Sequence, residues 1–203
     1  ETGKDGIHGA SGLASQSIEE SSSTRSAVQV GNPFLEKVLL EACLTSVKMK
    51  GIVGMQDLGA AGLTSSVIEV AYKSNLGVNI NLDKVHLKEE DMTAYEIMLS
   101  ESQERMLIIS EEKQAKKFID FFNTRDLTAS IIGHFNNSKN VTIMHKNQQI
   151  LKTPVKILTE APSYELNEVK PSWIEEVQEY KSPSSTKNLQ DIFEGLLNSP
   201  NIA

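Results

Sequence analysis

GIVGMQDLGAAGLTSS, Gly51 to Ser66, is followed about thirty residues later by MLSESQERM, Met98 to Met106. The first stretch sets one carboxylate, Asp57, in a glycine-rich turn between an apolar run and a helical pattern. A turn that exposes backbone N–H groups beside a carboxylate suits a phosphate and a divalent metal. The second stretch packs Glu101, Ser102, Gln103, Glu104 and Arg105 into one polar block between apolar segments. Such a block, leading into a buried strand, suits fixed hydrogen bonds to a small polar ligand. The two together point to a phosphate-bearing, metal-assisted site.

Outward from these stretches, helix and strand patterns alternate. Asn32 and Pro33 supply an N-cap and a first-turn proline. Leu35, Val38, Leu39, Ala42 and Val47 follow at helical spacing, which predicts a helix over 33–50. Ile52–Met55 reads as a short buried strand. Gly59–Gly62 reads as a turn into a helix that runs to about Ser74. Val78, Ile80 and Leu82 alternate as a strand, Thr93–Ser100 reads as a short helix, and Arg105–Ile109 as a strand. Lys113–Asn123 presents Ala115, Phe118, Ile119 and Phe122 on one helical face. Thr128–His134 reads as a strand, and Val141–Met144 with Gln149–Leu151 as a hairpin. Ala27–Val30 is a further strand candidate. This alternation predicts an α/β sandwich, and the hairpin makes its sheet mixed. Composition shifts after Pro162. The expected organisation is a domain over 1–162 with a glycine-rich N-terminal loop, a linker over 163–188, and a helix from Leu189 that opens a further domain at 189–203.

Composition narrows the classes. The chain has 203 residues, a formal net charge of −7 and one tryptophan. No basic cluster with interleaved aromatics appears, so nucleic acid is not an expected partner. No run approaches the ~18 apolar residues of a membrane helix, and no membrane partner is expected. Cys43 is the single cysteine, which fits a reducing, cytoplasmic setting. The opening ETGKDGIHGASGLAS lacks an initiator Met, and LLNSPNIA ends abruptly; the chain reads as a piece of a longer protein. An exposed apolar face on such a piece predicts homodimerisation.

Each candidate residue also has a plainer reading. Asp57 is either a metal ligand or the N-cap of the next helix. Gln29, a polar residue in a valine-rich strand, either contacts ligand hydroxyls and amides or is a satisfied edge residue. Glu101 suits a ribose diol or a metal-bound water, or it forms an i,i+4 surface pair with Arg105. His8, between glycines, is a general acid or nucleophile candidate, or a loop histidine in a domain contact. Cys43 falls near the apolar face of its helix and reads as core. His86, His134 and His145 show no metal-ligand spacing.

GKDGIHGA, AVQVGNPFLEKVLLEA, GMQDLGAAGLTSS and MTAYEIMLSESQERM, in this order and spacing, resemble the large synthetase subunit of phosphoribosylformylglycinamidine synthase. TEAPSY and LLNSPNIA resemble that family's tail. The resemblance implies a three-layer α/β/α domain with a mixed sheet, like the C-terminal domain of aminoimidazole ribonucleotide synthetase. It implies a ligase of purine biosynthesis. There, ATP activates the amide oxygen of formylglycinamide ribonucleotide as an iminophosphate, and ammonia from a glutaminase subunit displaces the phosphate. A small PurS-type subunit completes the implied complex. Carried over by motif, Asp57 is the implied Mg²⁺ ligand, and Gln29, Glu101, Ser102 and Gln103 are the implied substrate contacts. No catalytic residue is implied in this piece, because the family's catalytic His and ATP-gripping Lys lie in the preceding domain, which also carries most of the ATP site. The piece alone is expected to be inactive. Lys4 departs from the family's more frequent Arg, and SGLAS at 11–15 is looser than the family pattern. The alternatives are a relative of aminoimidazole ribonucleotide or selenophosphate synthetase, and a non-catalytic nucleotide-binding scaffold domain.

Overall fold

The computed structural model describes residues 1–7, 29–160, 162–181 and 188–201. The chain divides into two units, Glu1–Ala161 and Pro162–Ala203.

In the first unit, helix α1 spans Pro33–Ser46, with the Asn32 side chain accepting from the Leu35 N–H at 3.1 Å. It stops short of Lys50. Lys48 and Met49 tighten to bonds with Thr45 and Ser46, at 3.2 and 2.9 Å, and Gly51 at φ +104° turns the chain into β1. Strand β1, Ile52–Asp57, pairs antiparallel with β3, Met106–Ser110, so that Asp57 lies opposite Met106. Helix α2, Gly62–Lys73, follows β1 and leads into β2, Gly77–Asn81. Helix α3, Ala94–Leu99, opens on a capping box between Thr93 and Glu96. Helix α4, Ala115–Asn123, follows β3.

A second sheet has the strand order β4-β2-β5-β6, from β4 (Gly133–Asn136), β5 (Asn140–His145) and β6 (Gln148–Pro154). β2 runs parallel to β5 and antiparallel to β4, and β5–β6 is an antiparallel hairpin. Its two-residue turn puts Lys146 and Asn147 at φ +48° and +57°, the hand that matches strand twist. The Asp83 carboxylate accepts from both turn N–H groups, at 2.8 and 3.3 Å. Helix α5, Val155–Thr159, follows directly.

The α/β fold with a mixed sheet is as the sequence indicates. The strands nonetheless divide into two sheets. One core joins Leu63, Val67, Ile68 and Ala71 of α2 to Val78 and Ile80 of β2, Ile97 of α3, and Val141 and Ile143 of β5. The other joins Ala42 and Cys43 of α1 to Phe118 and Phe122 of α4. Strand β3 serves both: Leu107 packs on the first core, and Met106 and Ile108 on the second. That is the period-two alternation of a strand with apolar neighbours on each face.

Several expected elements differ. The strand expected over 128–134 is only Gly133–Asn136, because β2 ends at Asn81, whose N–H reaches back to the Ile132 carbonyl at 2.7 Å. Residues 29–30 of the Ala27–Val30 candidate are not in a strand; 27–28 lie outside the described residues, as do His8 and 11–15. In the second unit, α6, Trp173–Glu179, lies inside the stretch expected as linker, and α7, Leu189–Leu197, is present as the apolar spacing indicates. Among the described residues, no helix is long and apolar enough to cross a membrane.

Gly62 leaves no room for a side chain. It sits at φ +51°, and a Cβ there would lie 2.0 Å from the Ser100 carbonyl oxygen. Gly62→Ala combines an unfavourable backbone region with overpacking against backbone that cannot swing away. A loss of roughly 2–4 kcal/mol is expected, measured as a lowered urea midpoint by circular dichroism.

Candidate functional site

The N-terminal end of α2 needs acceptors for its first N–H groups. Ala61, its N-cap, is in the left-handed region at φ +58° and makes no side-chain cap. Glu101 fills the role from forty residues away: its Oε1 accepts from the Ala61 N–H at 2.9 Å. The second oxygen, Oε2, accepts from Gln29 Nε2 at 2.6 Å. Gln103 Nε2 then donates to Gln29 Oε1 at 2.7 Å and to the Glu101 carbonyl at 3.0 Å. Gln29, Glu101 and Gln103 therefore form one closed circuit at the mouth of a helix. Gly6, at φ +68°, packs beneath it, where a Cβ would lie 2.6 Å from Glu101 Cβ and 2.9 Å from Gln29 Nε2.

Ser102 faces the other way. It is 1% exposed. Its hydroxyl accepts from the Gly3 N–H at 2.9 Å, donates to Asp5 and lies 3.3 Å from Ser100 Oγ. Its partners are thus the N-terminal segment rather than the mouth where Gln29 and Glu101 meet. Lys88 Nζ reaches the same Asp5 carboxylate at 2.5 Å. Thr2 bridges the backbone of 86–88, with its N–H on the His86 carbonyl at 2.8 Å and its carbonyl receiving the Lys88 N–H at 2.9 Å. Lys4, where the resemblance more often has Arg, donates its N–H to Glu89 at 2.7 Å and places Nζ 3.7 Å from Glu96.

Arg105 is not the surface partner of Glu101. Its guanidinium is largely buried, donating from Nε to the Ser102 carbonyl at 2.6 Å, from Nη2 to the Ser100 carbonyl, and from Nη1 to Thr2 Oγ1 at 3.2 Å. Desolvation pulls it down to about 10, while the Asp5 and Glu101 charges pull it up. It stays charged at neutral pH. Glu104, at φ +53°, accepts from the Asn32 N–H at 2.6 Å and so ties the segment carrying Gln29 to the polar block.

Asp57 ends β1. Its Oδ1 accepts from Gln56 Nε2 at 2.7 Å, and among the described residues it forms no ion pair and caps no helix. It lines a cleft of about 250 Å³ with Gly59, Gln103, Glu104, Arg105 and the α1 face of Leu40 and Cys43. Burial pushes the Cys43 thiol up, as for a core residue, and the Glu36 charge adds to it. A Cβ at position 59 would lie 3.0 Å from Asp57 Oδ2, so glycine keeps the approach to that oxygen open. Among the described residues no three His, Cys, Asp or Glu side chains could hold a metal unaided.

The family model described as AIR synthase related protein, C-terminal domain, matches residues 2–146, which take in every residue of this site. The chain belongs to that family. Across its whole length this family member is 43% identical to the phosphoribosylformylglycinamidine synthase subunit PurL of Carboxydothermus hydrogenoformans, over 205 residues and 28% of that subunit. Among solved structures, PurL from Thermotoga maritima complexed with FGAR superposes with a TM-score of 0.75 at 33% identity, covering 96% of this chain and 32% of that one. The same protein complexed with ATP gives 0.73 at 32% identity, covering 96% and 30%. The chain thus spans less than a third of the length of these relatives.

Asp5 and Lys88 build this corner without standing out in the sequence, and the polar block names Glu104 and Arg105 without showing their partners. Asp5 and Ser102 are 97 positions apart, and nothing local marks them as partners. The available signal is a set of charged residues flanking glycine in GKDG and preceding an apolar strand in QERMLIIS.

Burial alone would push the Asp5 carboxyl up. Hydrogen bonds from Lys88 and Ser102, with the Lys88 and Arg105 charges, outweigh it and hold the group below the usual carboxylate range. A depressed folded pKa stabilises above the unfolded value of about 4, and that contribution is lost as pH falls through the lower folded value. The stability gap between native protein and Asp5→Asn should therefore be full above pH ~4 and close below it. Thermal melts of both proteins from pH 7 to 2.5 measure it; a gap independent of pH would contradict the assignment.

Proposed function

We propose that this chain is the substrate- and magnesium-binding part of a phosphoribosylformylglycinamidine synthase. The whole protein would convert formylglycinamide ribonucleotide, ATP and glutamine-derived ammonia to formylglycinamidine ribonucleotide. The observation that carries the reading is the Gln29–Glu101–Gln103 circuit, held at a helix mouth beside a cleft that contains a carboxylate with no ion pair among the described residues. The likeness to PurL along the whole chain, including PurL complexed with FGAR and with ATP, supports it.

Two amides and a carboxylate present donors and acceptors together, which a ribonucleotide's hydroxyls and amide need. Glu101 keeps lone pairs beyond those used by Ala61 and Gln29, so it can also accept from a ribose hydroxyl. A phosphate would sit away from it, toward backbone N–H groups. Ser102 acts in this reading through the turn that carries Glu101.

The donor set at Asp57 fits Mg²⁺. A single accessible carboxylate with an open side at Gly59 suits an ion that keeps several waters and shares its remaining positions with phosphates. Bound there, the ion would neutralise phosphate charge during phosphoryl transfer. Asp57 would hold it, and the β1–β3 pairing would keep the carboxylate in register with the polar block.

ATP would be held mainly by a preceding domain. The expected partners are a glutaminase subunit and a small PurS-type subunit, in the cytoplasm. A homodimer of the isolated chain is a separate proposal, decided by sedimentation at high concentration.

The test is ammonia-dependent ATP hydrolysis by the full-length parent, with and without formylglycinamide ribonucleotide. Substrate should stimulate the native protein, and Asp57→Asn should lose at least about 100-fold of that stimulation, the upper range for groups that merely orient metal ligands. Stimulation that survives would return Asp57 to a structural role. No response to this substrate would overturn the reaction itself.

A further inference from the structure

We infer that Arg105 is a positioning residue, whose buried guanidinium sets the direction of the Glu101 carboxylate and through it the Gln29–Gln103 circuit. The inference rests on the reading of that circuit as the ligand-binding edge.

Burying an arginine is costly unless its charge and donors are met. Here they are met by two main-chain carbonyls and a threonine hydroxyl, and no carboxylate lies within ion-pair distance of Arg105 among the described residues. A residue kept only for charge neutralisation would face Asp5 or Glu101 directly. Instead, the fork grips the carbonyls of Ser100 and Ser102, one on either side of Glu101. The Ser100 carbonyl is also trapped against Gly62, where there is no room for a Cβ. The Glu101 N–H is fixed to the Asp5 carbonyl at 2.8 Å. With its flanking peptides held, the Cα–Cβ bond of Glu101 points toward the mouth of α2, and the side chain ends on the Ala61 N–H and Gln29.

The fork shape decides which substitution is informative. Lysine keeps the charge and most of the aliphatic stem, but its single ammonium is a point donor that cannot reproduce the planar grip on both carbonyls and Thr2. Arg105→Lys therefore separates the positioning role from mere occupancy of the space, and a melting temperature near native shows that the fold is kept.

Two readouts on the full-length parent test the inference. The first needs no substrate: amide hydrogen exchange of the 59–63 segment, with β5 as the internal control. Arg105→Lys should speed exchange at 59–63 about tenfold and leave 140–145 unchanged, because Ala61 loses its fixed acceptor. The second is steady-state kinetics with formylglycinamide ribonucleotide. KM should rise about tenfold with kcat within about twofold, the pattern of lost ground-state and transition-state binding together.

Unchanged exchange at 59–63, or equal acceleration in β5, would overturn the inference. Faster local exchange with an unaltered KM would overturn the ligand-positioning role and leave Arg105 a structural brace. If the native parent does not respond to formylglycinamide ribonucleotide at all, the functional reading fails, and the exchange readout alone decides whether Arg105 directs Glu101.

Discussion

The bond from the Ala61 N–H to Glu101 is the contact on which the site depends. A helix that begins at a left-handed alanine brings no side-chain acceptor of its own; the Gly62 and Thr64 N–H groups reach the carbonyls of Gly59 and Ala61, and the Ala61 N–H is left to find a partner outside the turn. A carboxylate from the turn after α3 supplies the acceptor, with negative charge where the helix dipole favours it. The requirement propagates. Glu101 must stand in one direction, so its backbone must be clamped. The clamp places Ser100 against Gly62 and Ser102 against the N-terminal segment. Arg105 then sits beneath both carbonyls, and the 1–7 segment is held through Thr2, Gly3 and Asp5. One capping demand accounts for the positions of residues nearly one hundred apart in the chain.

The scaffold beneath this turn is strand β3, whose partly buried residues pack against two cores. Leu107 packs on the α2 side, and Met106 and Ile108 on the α1–α4 side. Moving the strand would disturb contacts on both of its faces. The polar block sits immediately before this strand, so its position is inherited from the interior rather than from loop conformation. A further tie comes from Glu104 to the Asn32 N–H, which fixes the approach of the segment carrying Gln29.

The parts of the fold legible in the sequence are those governed by local periodicity. The helices beginning at Pro33 and Gly62, the β2 strand and the β5–β6 hairpin form where the apolar spacing puts them, and so does the helix at Leu189, although it leaves Leu189, Phe193, Leu196 and Leu197 exposed. The division into two sheets was not legible, since strand pairing depends on contacts far apart in sequence. The end of α1 is not legible either, because Val47 continues the helical spacing while Gly51 sets the exit. Within the polar block, the motif marks Glu101, Ser102 and Gln103 alike. Their alternate directions follow from a turn held by Arg105, and no spacing rule for helices or strands describes it. Ser102 is accordingly adjacent to the circuit in sequence and opposite to it in space. Arg105 looked like an i,i+4 partner of Glu101 because that reading assumes a helix, and residues 100–105 are not helical.

The same capping demand bears on Asp57. A carboxylate before a glycine-rich turn and a helix has an obvious structural use as the cap. In this fold Glu101 already holds that position, so Asp57 is released from it. What remains is a carboxylate at the last residue of β1, paired in register with Met106, the first residue of β3. The polar block immediately precedes Met106. The strand pairing therefore sets the spacing between an accessible acidic group and the Gln29–Glu101–Gln103 circuit without any direct bond between them. Had Asp57 capped the helix, Glu101 would lose one of its two side-chain partners and the acidic group would be tied down. The arrangement leaves the polar residues ordered and the acid accessible, the division that the proposed site for a polar substrate beside a hydrated cation would require.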